Sequence, residues 1–126
     1  MTVVVDTSVL IEVLRGDERA QALLTTAIAD GERIVGSVLS RVEVLAGMRP
    51  HKERETRRLF DSLEWLVVDA DLADRAGELA SSYVRSHPGI DPVDYVIAAT
   101  AERLGADLWT HNLKHFLMFP GLQRPY

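Results

Sequence analysis

Short β-branched runs alternate with stretches of helical period along the chain. Val3-Val4-Val5 is a continuous apolar run, the pattern of a strand covered on both faces. Thr7-Ser8 is suited to cap a short helix through Arg15, with Gly16 as its stop. Asp17 is suited to cap a second helix, in which Ala20, Leu23, Leu24, Ala27 and Ile28 fall at helical spacing and Gly31 ends the run. Ile34–Val38 predicts the next strand, Ser40 opens a helix reaching about Gly47, and a charged helix is expected from about His51 to Leu63. A strand at Trp65–Val68 follows, then a helix from Asp71 to near His87-Pro88-Gly89. Asp91-Pro92 has the form of an N-cap followed by proline at the first helical position, and that helix stops at Gly105. Asp107–Thr110 is the last parallel-type strand, and Leu122-Gln123-Arg124 predicts a short edge strand.

Strands that alternate with helices need crossover connections, so the expected fold is an α/β three-layer α/β/α sandwich with a central parallel sheet. No repeat, low-complexity run or linker interrupts the pattern, and residues 1–126 are expected to form one domain. In such sheets ligands bind outside the carboxyl ends of the strands. Asp6 directly follows the first strand, Glu43 the second by a short step, Asp91 and Asp94 stand where a helix begins, and Asn112 follows the last strand. Four segments thus bring oxygen-bearing side chains to one edge. Carboxylates gathered without cationic partners repel one another, and hard divalent cations such as Mg²⁺ or Mn²⁺ take carboxylate oxygens and water.

Each of these residues also has a plainer reading. Ser40-x-x-Glu43 and Asp91-Pro92-Val93-Asp94 match capping boxes, Asp6 suits a cap before Ser8, and Asn112 suits a cap of the turn toward Phe116. Capping leaves the convergence on one sheet edge unexplained. The two readings are compatible, because helix N-termini hold such acids ionised.

Composition narrows the field further. The 126 residues carry 14 Lys+Arg against 19 Asp+Glu, a net charge of −5, with 47% hydrophobic residues. Disorder and Pro/Gly-rich architectures are excluded, and no apolar run approaches the ~20 residues of a membrane helix. The first residues lack a basic stretch, so no secretory signal is expected. Absence of cysteine excludes disulfide frameworks and thiolate metal sites and fits a cytoplasmic protein. An acidic chain is not one whose whole surface seeks nucleic acid, but a nuclease gripping phosphates through metal ions remains open.

Four blocks then become informative together: Val4-Val5-Asp6-Thr7-Ser8-Val9-Leu10, Ser40-Arg41-Val42-Glu43-Val44-Leu45-Ala46-Gly47, Asp94-Tyr95-Val96-Ile97-Ala98-Ala99-Thr100-Ala101 and Thr110-His111-Asn112-Leu113-Lys114-His115-Phe116. In this order and spacing they resemble PIN domains, and more narrowly the VapC-type ribonuclease toxins of prokaryotic toxin–antitoxin modules. The resemblance implies a Mg²⁺- or Mn²⁺-dependent endoribonuclease. Asp6, Glu43 and Asp94 would be its catalytic and metal-holding acids, and its products would carry a 5′-phosphate and a 3′-hydroxyl. It also implies an RNA substrate, a small VapB-like antitoxin occluding the acidic site, DNA contact only through that antitoxin, and homodimerisation. Asn112 stands where many relatives carry Asp, so its amide oxygen would ligate without adding charge, and a second metal position loses support. Asp91 is a substitute carboxylate or the helix cap. Thr110, Thr7 and Ser8 match supporting hydroxyls, with strand-end packing and capping as their ordinary roles.

Arg49, Lys52, Arg54, Arg57 and Arg58 cluster on one stretch. They form either a solvated face with pairs such as Glu53–Arg57 or a phosphate contact in which Arg49 takes part. Lys114 has the same two readings. His111 and His115 share the spacing of a helical zinc pair but lack a third ligand. Trp65, Trp109 and Phe60 read as core. No Gly-x-Gly-x-x-Gly, P-loop or Asp-x-Asp follows the first strand, which sets aside nucleotide-binding and phosphatase alternatives. The competing function is a catalytically weak PIN domain acting as a protein-binding scaffold.

Overall fold

The computed structural model describes residues 1–83 and 85–126. Four strands, β1 (Thr2–Val5), β2 (Arg33–Ser37), β3 (Glu64–Leu66) and β4 (Asp107–Trp109), form one parallel sheet in the order β3-β2-β1-β4. Between them run α1 (Thr7–Leu14), α2 (Glu18–Ala29), α3 (Val38–Ala46), α4 (Glu53–Asp61), α5 (Ala70–Tyr83) and α6 (Pro92–Leu104). Short 3₁₀ turns occupy Pro50–Lys52 and Leu113–His115.

The alternation of side chains along a strand sorts the core into two layers. Val3, Val5 and Ile34 face α1 to α4 and meet Val9, Leu10, Leu24, Val44 and Phe60. Val4, Val35 and Leu108 face the other side, where Leu72, Ala76, Ile97 and Phe116 close over them. This double covering is why the central strands read as unbroken apolar runs. Fully burying a side chain such as Leu10 or Ile97 stabilises the fold by roughly 1.5–3 kcal/mol. Gly36 pairs with Trp65 across β2 and β3, and a Cβ there would lie 2.6 Å from the indole, so only glycine allows the ring this close.

Several local expectations need correction. Thr7 and Ser8 lie inside α1, whose N-cap position belongs to Asp6. Helix α3 begins earlier than expected, with Ser37 accepting from the Leu39 amide, so Ser40 is buried within the helix. Asp69 caps α5 through the Leu72 amide at 2.7 Å, ahead of the expected Asp71. That helix ends at Tyr83; its expected passage through Val84 lies outside the described residues, and Arg85-Ser86 form a turn. The expected helix from His51 splits into the 3₁₀ turn and α4, and the third strand stops at Leu66 with Val67 exposed. Residues 122–124 form no strand; Leu122 packs with Met118 and Phe119 on the α5–α6 layer instead. Asp17 and Asp91 cap as expected, and Gly105 closes α6 at a left-handed φ of 58°.

Candidate active site

The chain leaves β1 directly into Asp6, whose backbone is extended and whose side chain caps nothing. Its Oδ2 instead accepts from Ser8 Oγ at 2.8 Å and from Thr110 Oγ1 at 2.7 Å. Each hydroxyl also accepts: Ser8 from the His111 amide and Thr110 from the Asn112 amide. The first turn of α1 and the segment after β4, separated by about a hundred residues of chain, are therefore fastened to one buried carboxylate oxygen.

Glu43 sits well inside α3, far from the N3 position that a capping box with Ser40 requires. Its Oε1 lies 2.6 Å from Thr7 Oγ1, which is also 2.9 Å from Ser40 Oγ. A carboxylate only accepts, so Thr7 donates its proton to Glu43 and accepts from Ser40. Thr7 thus ties α1 to α3 and aims the glutamate at the edge where Asp6 lies.

Asp94 is the N3 residue of α6 and is 7% exposed. The Asp91 amide donates to its Oδ2 at 3.3 Å, while Asp91 Oδ1 accepts from the Val93 and Asp94 amides. The capping box is real, but it does not account for the charge. Burial first, then the neighbouring Asp91 and Asp6, push the Asp94 carboxyl up to about 6. His115 Nδ1 lies 3.0 Å from Asp94 Oδ2, out of line for a hydrogen bond yet close enough to attract the carboxylate when protonated. Among the described residues no Lys or Arg forms an ion pair with Asp6, Glu43, Asp91 or Asp94. Nor do any three His, Cys, Asp or Glu side chains among them stand within common chelating reach.

The remaining positions divide. Asn112 is exposed beside this edge, and its side chain caps nothing; only its carbonyl serves the turn, accepting from His115. Thr110 is fully buried. Arg49 is exposed and, with Glu43, lines a cleft of about 450 Å³ whose rim also carries Arg15, His51 and Lys52. Lys114 is exposed on the 3₁₀ turn. His111 and His115 do not pair on a helix: one ring faces Tyr126, the other Asp94. The sequence reading missed His115 as the neighbour of Asp94 and Thr7 as the bridge to Glu43. No spacing rule would have found either, because both contacts cross between elements.

The whole arrangement, a parallel sheet with acids at its carboxyl edge, agrees with the family evidence. The PIN domain model matches residues 3–116, and the chain belongs to the PIN-domain family. Within it the chain stands with the VapC-type proteins. It is 46% identical to Ribonuclease VapC19 of Mycobacterium tuberculosis over 122 residues, covering 97% of this chain and 98% of the relative. Ribonuclease VapC10 of the same organism is 40% identical over 124 residues, covering 98% and 92%. Among solved structures, a toxin–antitoxin complex from Klebsiella pneumoniae superposes with a TM-score of 0.79 at 27% identity, covering 98% of both chains. DNA-bound VapBC from Salmonella typhimurium has the same fold, with a TM-score of 0.79 at 22% identity over 98% of this chain and 96% of that one. Among the described residues no helix is long and apolar enough to cross a membrane.

Proposed function

We propose that the chain is the ribonuclease of a VapBC-type toxin–antitoxin module, hydrolysing RNA phosphodiester bonds at the Asp6–Glu43–Asp94 edge with Mg²⁺ or Mn²⁺. The observation that carries this reading is the Asp94 carboxyl, buried beside Asp91 and Asp6 with no Lys or Arg ion-paired to it among the described residues. Asp6 and Asp94 would hold a divalent cation through their carboxylates, with Glu43 as the third acid of the same edge. A Mg²⁺ site of one or two carboxylates completed by water and substrate phosphate is ordinary chemistry, so the lack of a three-residue chelate among the described residues is no obstacle. When bound, such an ion neutralises charge developing on phosphate oxygens and acidifies water. The chain's own residues do the positioning. Ser8 and Thr110 hold Asp6 Oδ2 and leave Oδ1 free of side-chain donors among the described residues; Thr7 fixes Glu43, and the Asp91 amide fixes Asp94. Asn112 contributes a neutral oxygen at the same edge.

A small VapB-like antitoxin that covers the acids follows from the same reading, with the solved toxin–antitoxin complex as its support; a homodimer and a cytoplasmic location belong to the same proposal. The scaffold alternative draws on Asn112, whose amide brings no charge to the site. Titrating Mg²⁺ and Mn²⁺ calorimetrically into metal-free wild type and Asp94→Asn, alongside an RNA cleavage assay, separates the two. We expect saturable binding that disappears in the variant and cleavage that requires the ion. A folded wild type that binds neither ion and cleaves no RNA would overturn the ribonuclease reading and leave the scaffold.

A further inference from the structure

The hydrogen-bond link from Asp6 through Ser8 to His111 continues outward. His111 Nε2 meets the Tyr126 hydroxyl, and the two rings stand edge to face with centroids 4.8 Å apart. The Arg19 guanidinium lies over the Tyr126 ring, 5.1 Å from its centre. Next to them opens a cleft of about 430 Å³ bounded by Ser8, Arg15, Arg19, His111, Asn112 and Tyr126. That volume lies within the range of small-ligand sites, about 300–1,000 Å³. It adjoins the acidic edge directly, since Ser8 and Asn112 belong to both.

The lining says what kind of group fits. Arg15 and Arg19 are balanced by Glu12 at 3.1 Å and Asp17 at 3.5 Å, acids that border the same cleft. A near-neutral cleft suits an uncharged group better than a free anion. The Asn112 amide, exposed and without a side-chain hydrogen bond among the described residues, offers one donor and one acceptor group, the pair that reads a base edge. The half-buried rings of His111 and Tyr126 offer aromatic surface, on which unpaired RNA bases stack.

We propose that this cleft seats one unpaired nucleobase of the RNA strand, beside the phosphate at the acidic edge, with His111 and Tyr126 as its aromatic wall and Asn112 as the reader of its edge. The proposal rests on the ribonuclease reading. It makes this pocket a determinant of which nucleotide neighbours the cleavage point.

Two measurements test it. In the first, the four ribonucleoside 5′-monophosphates are titrated separately into ¹⁵N-labelled metal-free wild type. Shifts at His111, Asn112 and Tyr126 that saturate, with one base favoured, are expected. In the second, cleavage of a short unstructured RNA library is compared across wild type, Tyr126→Ala and Tyr126→Phe. Losing one stacking contact should lower kcat/KM for the preferred site about tenfold in Tyr126→Ala and flatten the base preference, whereas Tyr126→Phe should stay within about twofold. An active Tyr126→Ala enzyme with unchanged rate and unchanged base preference would overturn the proposal and leave the ribonuclease reading standing. If wild type cleaves nothing, the ribonuclease reading fails by itself and the nucleotide titration decides the pocket. Absence of shifts there, or shifts given only by an antitoxin segment, would overturn it.

Discussion

Asp69 and Asp94 both accept amide hydrogens at the start of long helices, on the same face of the sheet, yet their surroundings act on them in opposite senses. Asp69 takes both terminal nitrogens of Arg103 and the Leu72 amide; the guanidinium foremost, then the amide, hold its carboxyl down at about 2. Asp94 takes the Asp91 amide but is buried, stands beside Asp91 and Asp6, and is pushed up to about 6. A helix N-terminus therefore does not decide the state of an acid in this molecule. Solvent and counter-charge do. At the α5 start the chain supplies an arginine as counter-charge; at the α6 start it supplies more acid, with the His115 ring beside it and no Lys or Arg ion-paired to it among the described residues.

The largest effect should come from removing the Asp94 charge. Asp94→Asn keeps an oxygen for the Asp91 amide, so α6 stays capped while the site loses a negative charge. RNA cleavage should fall on the order of 10³-fold. The metal-free melting temperature should stay level or rise by roughly a few degrees, because repulsion at a buried carboxylate is relieved. A clear loss of metal-free stability would show that Asp94 is chiefly a structural cap, and the contrast with Asp69 would collapse.

The next effect concerns the hydroxyls around Asp6. Thr110→Val preserves shape but removes the donor to Oδ2 and leaves the Asn112 amide without its acceptor, inside a fully buried position. Activity should drop about 10- to 100-fold, the usual consequence of losing a group that orients a ligand. Stability should fall by about 1–3 kcal/mol in urea denaturation. Thr110→Ser should recover most of the activity. If Val performs like wild type, the Ser8 hydroxyl and the backbone orient Asp6 without help from Thr110.

A pH series sharpens the comparison without any substitution. The Asp94 carboxyl rises from its ordinary 3.8 to about 6, so between those values the folded chain binds a proton that the unfolded chain has released. Metal-free stability should therefore decline as pH rises through this window, by at most about 1.4 kcal/mol per pH unit from this group. The proposed Mg²⁺ would take the carboxylate form, so its affinity should climb over the same window and offset the decline. Thermal melts at several pH values, with and without Mg²⁺, read both slopes. Equal slopes in the two series would remove Asp94 from the cation's ligands.

How much of this was legible beforehand follows from which interactions are local. The sheet and its two-sided covering were readable because Val3-Val4-Val5 and Asp91-Pro92 are patterns of neighbouring residues. Asp6, Glu43 and Asp94 were placed by the alternation of strands and helices and by the family resemblance. What escaped was long-range. Ser40 looked like a cap because its spacing to Glu43 fits one, but Ser37 had already started the helix, and Ser40 turned inward to Thr7. The edge strand expected at 122–124 lost to the packing of Leu122 with Met118 and Phe119. Tyr126 meets His111 and Arg19 across distant parts of the chain, a contact that no local spacing encodes.

The smallest effect belongs to the acid with its counter-charge in place. Arg103→Met removes the partner of Asp69 while the Leu72 amide still caps through the aspartate. Exposed pairs contribute little, so the melting temperature at neutral pH should move by about a degree or two, and RNA cleavage should not change. The change should instead be visible in acid. A carboxyl held at about 2 supports the fold above its ordinary 3.8 and loses that support as pH falls between the two values. Without Arg103 the carboxyl returns toward 3.8, and the acid limb of the stability curve should flatten there. A drop in cleavage comparable with that of Asp94→Asn would mean that the α5–α6 brace reaches the site, and the two helix starts would then have to be treated as one coupled device.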